Sequence, residues 1–199
     1  GPRVGLLGGS FNPAHAGHLH VSLEALRRLG LDQVWWLVSP QNPLKSSADM
    51  APFAQRLARA RALARHPALR VSAIEARLGT RRTLDTLRRL RRLHPRHRFV
   101  WLIGADNLRD IHRWHRWEDI FATVPIAVFA RPTYSRFALS GKAARRFRHQ
   151  RVAATGARRL PGMAPPAWVF LAIREHAESA TRIRGKRRAG MSSSRVRAD

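Results

Sequence analysis

Two histidines, His15 and His18, stand three residues apart directly behind the segment Gly8-Gly9-Ser10-Phe11-Asn12-Pro13. The segment follows a short apolar run, Val4 to Leu7, and precedes an amphipathic helical pattern, so glycines and imidazoles meet at a strand-to-helix turn. Glycine at such a place lets the backbone turn tightly and approach a ligand closely. The first unpaired N–H groups of the helix, with its positive dipole end, attract an anion. The two imidazoles then lie over that anion, where they can donate to phosphate oxygens. The chain has no cysteine, and no carboxylate accompanies the pair, so a zinc site would lack ligands and no metal ligand is assigned. Neither the G-x-G-x-x-G spacing of dinucleotide-binding turns nor a Walker-type G-x-x-x-x-G-K-[ST] occurs, so hydride transfer and P-loop hydrolysis lose support.

The elements that must position these residues follow from the hydrophobic pattern. Apolar, β-branched or aromatic runs recur at residues 3–7, 34–38, 69–73, 99–103 and 126–129, with a further candidate at 168–171. Between them, Leu19, Leu23, Leu26 and Leu29 or Leu31 fit one helix face, Phe53, Leu57, Ala60 and Ala64 a second, and Leu84, Leu87, Leu90 and Leu93 a third. Alternating strands and helices with continuously apolar strands predict an α/β fold: a Rossmann-like parallel sheet with helices on both faces. In such a sheet ligands bind outside the carboxyl ends of the strands. The loops at residues 8–18, 39–45, 74–83 and 104–117 would all fall on that edge. Later, residues 131–147 read as a basic helix and 161–166 as a proline-rich connection. The expected organisation is one domain over residues 3–184, then a tail, 185–199, whose Lys, Arg, Ser, Gly and Ala content is too poor in apolar groups to order itself.

The net charge of +26 arises from 38 Lys and Arg against 12 Asp and Glu. It attracts polyanions, but the arginines are dispersed and aromatics do not interleave with them as a nucleic-acid face requires. An anionic small substrate or a merely basic, arginine-biased surface also accounts for it, so the charge alone decides little. No apolar run approaches the roughly 20 residues of a transmembrane helix, no signal-peptide layout opens the sequence, and the lack of cysteine fits a reducing compartment. The expectation is a cytoplasmic protein without a membrane partner, monomeric or homo-oligomeric.

Gly8 through Leu19 reads G-G-S-F-N-P-A-H-A-G-H-L, and Ser179-Ala180-Thr181-Arg182-Ile183-Arg184 reads S-A-T-R-I-R. In both stretches and in their order, the sequence resembles the nucleotidyltransferases with an H-x-G-H signature, in particular the bacterial nicotinate mononucleotide adenylyltransferases. The resemblance spans about residues 4–184. It implies a nucleotidyltransferase fold and transfer of the adenylyl group of ATP, with Mg²⁺ carried on the nucleotide, to the 5′-phosphate of a pyridine mononucleotide.

The resemblance also implies roles. His15, His18 and Arg184 would be catalytic, and ATP would meet Gly8, Gly9, Ser10, Phe11, His15, His18, Gly104, Asp106, Ser179, Thr181 and Arg184. The acceptor would meet Asn12, Lys45, Thr83, Asp106 and Trp114, with the Trp114 ring stacked on the pyridine. Ser179 and Thr181 also suit plain helix capping, and Thr83 suits the N-cap of the helix running to Leu93. Leu44 stands where the family often has a histidine before the lysine, and Arg82 where an aromatic is common. Two rivals remain open from sequence: pantetheine-phosphate adenylyltransferase, or another H-x-G-H nucleotidyltransferase, and a nucleic-acid-binding protein using the basic surface.

Overall fold

A computed structural model describes residues 1–40, 49–131 and 135–174. Seven strands form one sheet in the order β3-β2-β1-β4-β5-β7-β6, every neighbouring pair parallel. They are β1 (Arg3–Gly9), β2 (Gln33–Val38), β3 (Leu69–Ser72), β4 (Arg98–Gly104), β5 (Ile126–Ala130), β6 (Arg151–Val152) and β7 (Trp168–Ala172). The chain winds outward from β1 to β3, then returns to lay β4 on the other side of β1. The strand order therefore reverses between β1 and β4, and a crevice opens there at the carboxyl edge.

Both faces are covered, as continuously apolar strands require. Alternate residues of β4 divide the core: Phe99, Trp101 and Ile103 face one cluster, Val100 and Leu102 the other. The first cluster lies under α4 (Thr83–Leu93), α5 (Ala105–Asp110), α6 (Trp117–Thr123) and α8 (Lys142–Arg146), where Leu84, Leu87, Leu90, Ile120 and Phe121 are buried. The second lies under α1 (Ala16–Leu29), α2 (Phe53–Leu63) and a 3₁₀ segment, Ala154–Gly162. α1 ends where the spacing of its leucines stops, at Gly30, whose φ of 63° takes up the left-handed conformation that glycine adopts without a Cβ clash.

Two expectations need correction, and two further features were not foreseen. Residues 74–83 are not all loop: Ile74–Leu78 forms the short helix α3, closed by Gly79 at φ 66°, and five residues are too few to show a helical period. The single basic helix expected over 131–147 is two short ones within the described residues, α7 (Ser135–Leu139) and α8, separated at Gly141, which serves as the N-cap of the second. Trp36 is buried, whereas Trp35 of the same strand is only partly buried and packs its ring against His94, His97 and Phe99. The two-residue strand β6 was not foreseen.

Candidate active site

The tight turn after β1 is not made by its glycines. Gly8 and Gly9 remain in the strand, paired with Leu37 and Val38 of β2, and the positive φ, 49°, falls on Phe11. What the glycines provide is approach: both are exposed, and a Cβ on Gly8 would meet no atom within 4 Å. A non-glycine residue in the left-handed region is strained unless its surroundings hold it there. Phe11 is held by burial, 2% exposed, with its ring 5.3 Å from that of Trp36 and 4.6 Å from that of His18. Its side chain therefore packs against both of these rings inside the turn.

The histidines occupy the first turn of α1 in a reciprocal arrangement. His15 is the N-cap, and its Nδ1 accepts the Gly17 N–H at 3.0 Å; His18 Nδ1 accepts the His15 N–H at 3.1 Å. Two N–H groups that the helix leaves unpaired are satisfied in this way. A nitrogen that accepts an amide N–H carries no proton, so in both neutral rings the proton sits on Nε2. The rings lie 4.0 Å apart, centroid to centroid. Burial, reinforced by His15, lowers the His18 pKa to about 3, which keeps it a neutral N–H donor at physiological pH.

The residue that holds this turn to its neighbours is Arg56, which sequence reasoning missed. It is 2% exposed. Its guanidinium donates to four main-chain carbonyls: Ser10 at 2.6 Å, Ser39 at 2.7 Å, Pro40 at 2.8 Å and Ala51 at 2.9 Å. No ion pair among the described residues includes Arg56, so these oxygens carry the burden of solvating a buried cation. The signal was present: Arg56 falls three residues after Phe53 and four before Ala60, on the inward stripe of α2. Asn12 works alongside it. Its amide donates to the Asp49 carbonyl at 2.6 Å and accepts from the Ala51 N–H at 3.1 Å, so the side chain braces residues 49–51 against the turn.

Across the crevice, β4 ends at Gly104, exposed and in extended conformation as the N-cap of α5, with Asp106 exposed in the first turn of that helix. Trp114 is partly buried, its ring edge-on to Trp101 at 5.6 Å. Trp117 packs edge-on to Phe121 and Phe147, which is a core role. Thr83 is the first residue of α4 but not its N-cap; that position is Arg82, which makes no side-chain cap bond. The first main-chain N–H groups of α4 therefore lack the cap that threonine was expected to give. Lys45, Ser179, Thr181, Arg184 and the tail lie outside the described residues. Among the described residues, no three His, Cys, Asp or Glu side chains gather as a metal site, and no helix is long and apolar enough to cross a membrane.

A parallel sheet with paired imidazoles at the end of β1, facing the end of β4 where the strand order reverses, defines an enzyme of the nucleotidyltransferase class. A family model described as cytidylyltransferase-like matches residues 6–199, and the chain belongs to the cytidylyltransferase-like family, among its nicotinate-nucleotide adenylyltransferases. A Parvibaculum lavamentivorans protein of that name is 58% identical over 184 residues, 92% of each chain. One from Methylorubrum extorquens is 50% identical over 182 residues, covering 92% of this chain and 98% of its own. In fold, the chain is similar to the nicotinic acid mononucleotide adenylyltransferase of Plasmodium falciparum complexed with NaAD, with a TM-score of 0.69 over 93% of this chain and 83% of that one, at 16% identity.

Proposed function

We propose that this chain transfers the adenylyl group of MgATP to nicotinate mononucleotide, releasing pyrophosphate and forming nicotinate adenine dinucleotide. Relatives at 50–58% identity carry the name of this activity. The observation that carries the mechanism is the reciprocal His15–His18 arrangement at the switch point. An oxygen of the acceptor's 5′-phosphate forms a bond to the α-phosphorus of ATP. The bond from that phosphorus to the bridging oxygen breaks, and its electron pair leaves with pyrophosphate, whose charge the Mg²⁺ brought with ATP helps to neutralise.

No protein nucleophile is needed, so the enzyme's contribution is position and charge stabilisation. The Nε2–H groups of His15 and His18 donate to the α-phosphate oxygens as charge builds there. Exposed Gly8 and Gly9 let the nucleotide lie against the end of β1, and Ser10 lines the same turn. Gly104 and Asp106 take the ribose side of the crevice, and Ser179, Thr181 and Arg184 clamp the outer phosphates. The acceptor lies between Trp114, on which the electron-poor pyridine stacks, and the uncapped start of α4 at Thr83, whose N–H groups suit a carboxylate. Asn12 holds the floor between the two ligands, and Lys45 adds positive charge to an acceptor phosphate.

Mass-spectrometric identification of the product formed with MgATP and, separately, nicotinate mononucleotide, nicotinamide mononucleotide or phosphopantetheine tests this reading. A dinucleotide formed fastest with the nicotinate form is expected. Turnover with phosphopantetheine alone would contradict it.

A further inference from the structure

We propose that Glu75 is a positioning residue, tying the acceptor loop at residues 79–83 to the end of β2 beside the phosphate-binding turn. This rests on the reading of Thr83 and its neighbours as the acceptor side. Glu75 grips the loop twice. Its main-chain carbonyl accepts the N–H groups of Gly79 and Thr80, the latter at 3.2 Å. Its Oε1 lies 3.4 Å from the hydroxyl of Thr86, a residue 2% exposed. That hydroxyl is also 2.8 Å from Thr80 Oγ1 and 3.3 Å from the Arg82 carbonyl, so Thr86, Thr80 and the start of α4 form one hydrogen-bonded group.

The Ser39 side chain is the second hydroxyl that hydrogen-bonds the Glu75 carboxylate and opposes the rise of its pKa. Ser39 belongs to the ATP side: its N–H donates to the Gly9 carbonyl at 2.9 Å, and its own carbonyl is one of the four that Arg56 holds. A continuous chain thus runs from Gly9 through Ser39, Glu75 and Thr86 to Thr80, linking the strand end that meets ATP to the loop that meets the acceptor. Glu75 is also the sole acidic residue between Asp49 and Asp85, in a stretch dense with arginine. The charged groups on the surrounding elements, Arg77 on α3, Arg81 and Arg82 in the loop and Asp85 on α4, are exposed, and Arg56 of α2 reaches Ser39 only through its carbonyl.

Burial pushes the Glu75 carboxyl up to about 7, with the two hydroxyls opposing that rise. Ionised, it accepts from both Ser39 and Thr86. Protonated, one oxygen becomes a donor, the hydroxyl facing it must turn from donor to acceptor, and a charge-assisted tie gives way to a weaker neutral one.

Steady-state kinetics of Glu75→Ala and Glu75→Gln, with KM measured separately for nicotinate mononucleotide and ATP across neutral pH, tests the proposal. In Glu75→Ala the acceptor KM should rise roughly tenfold, the scale of one lost hydrogen bond to a charged group, with the ATP KM nearly unchanged. In the wild type the acceptor KM should rise as pH falls through about 7. Glu75→Gln, isosteric and uncharged, should lack that step while keeping its fold. Equal rises in both KM values, or the same pH step in Glu75→Gln, would overturn it. If the wild type does not use nicotinate mononucleotide, the functional reading fails, and amide hydrogen exchange still decides the tie. Faster exchange at residues 79–86 in Glu75→Ala supports the tie, and unchanged exchange overturns it.

Discussion

The main-chain N–H of His15 donates to the imidazole of His18 while the imidazole of His15 accepts from the Gly17 N–H, so both rings are fixed by the main chain of the same helix turn. A helix N-cap made from two histidines in place of serine or aspartate satisfies the first-turn N–H groups and at the same moment sets the tautomer of both rings. Structure and chemistry are here the same hydrogen bonds.

Stability should depend on pH through His18. Its folded-state pKa, about 3, lies below the ordinary 6.5, so between these values the unfolded chain binds a proton that the folded one does not. The stability contributed by the neutral ring is fully present above about 6.5 and is lost as pH falls toward 3. Urea unfolding at mildly acidic and at neutral pH should show this slope in the wild type and a shallower one in His18→Asn, whose side chain does not titrate. Identical slopes would show that His18 is not held neutral.

Arg56→Met leaves four carbonyls without their donor in a site closed to water. Each such loss costs about 1–3 kcal/mol, and the sum is less than additive because the loops relax. A fall in unfolding free energy of about 3 kcal/mol or more is expected. Arg56→Lys should recover only part of it, since an ammonium has three donors and no planar fork. Chemical denaturation of both variants checks this, and a loss below about 1 kcal/mol in Arg56→Met would remove the clamp from the account.

Trp114→Ala should weaken the acceptor and spare ATP. Base stacking on an aromatic is worth about 1–3 kcal/mol, equivalent to a rise in acceptor KM of roughly 5- to 150-fold. Measurement of both KM values in the variant tests it, and an unchanged acceptor KM would assign Trp114 to packing against Trp101 alone.

The strands were legible because parallel strands buried on both faces read as unbroken apolar runs; five of the six expected runs lie wholly inside β1, β2, β4, β5 and β7, each strand one or two residues longer than its run, and the sixth overruns the end of β3 by one residue. The placement of His15 and His18 at a strand-to-helix turn was legible for the same reason. The conformation of that turn was not. Left-handed backbone is expected of glycine, and only the tertiary packing of Trp36 and His18 around Phe11 moves it there. Arg56 was hidden in a different way: its partners are carbonyls, which every residue has, so no side-chain pattern records them. Glu75 was hidden because α3 is too short to declare a face.

The most direct test of the account is the turnover number for pyrophosphate release from MgATP and nicotinate mononucleotide, in the wild type and in His18→Ala, both at saturating substrate. A fall of roughly 10²- to 10³-fold in kcat with little change in the ATP KM is predicted, the loss expected when one preorganised donor to a developing charge is removed. A variant that turns over at the wild-type rate would contradict the claim that the paired imidazoles carry the chemistry.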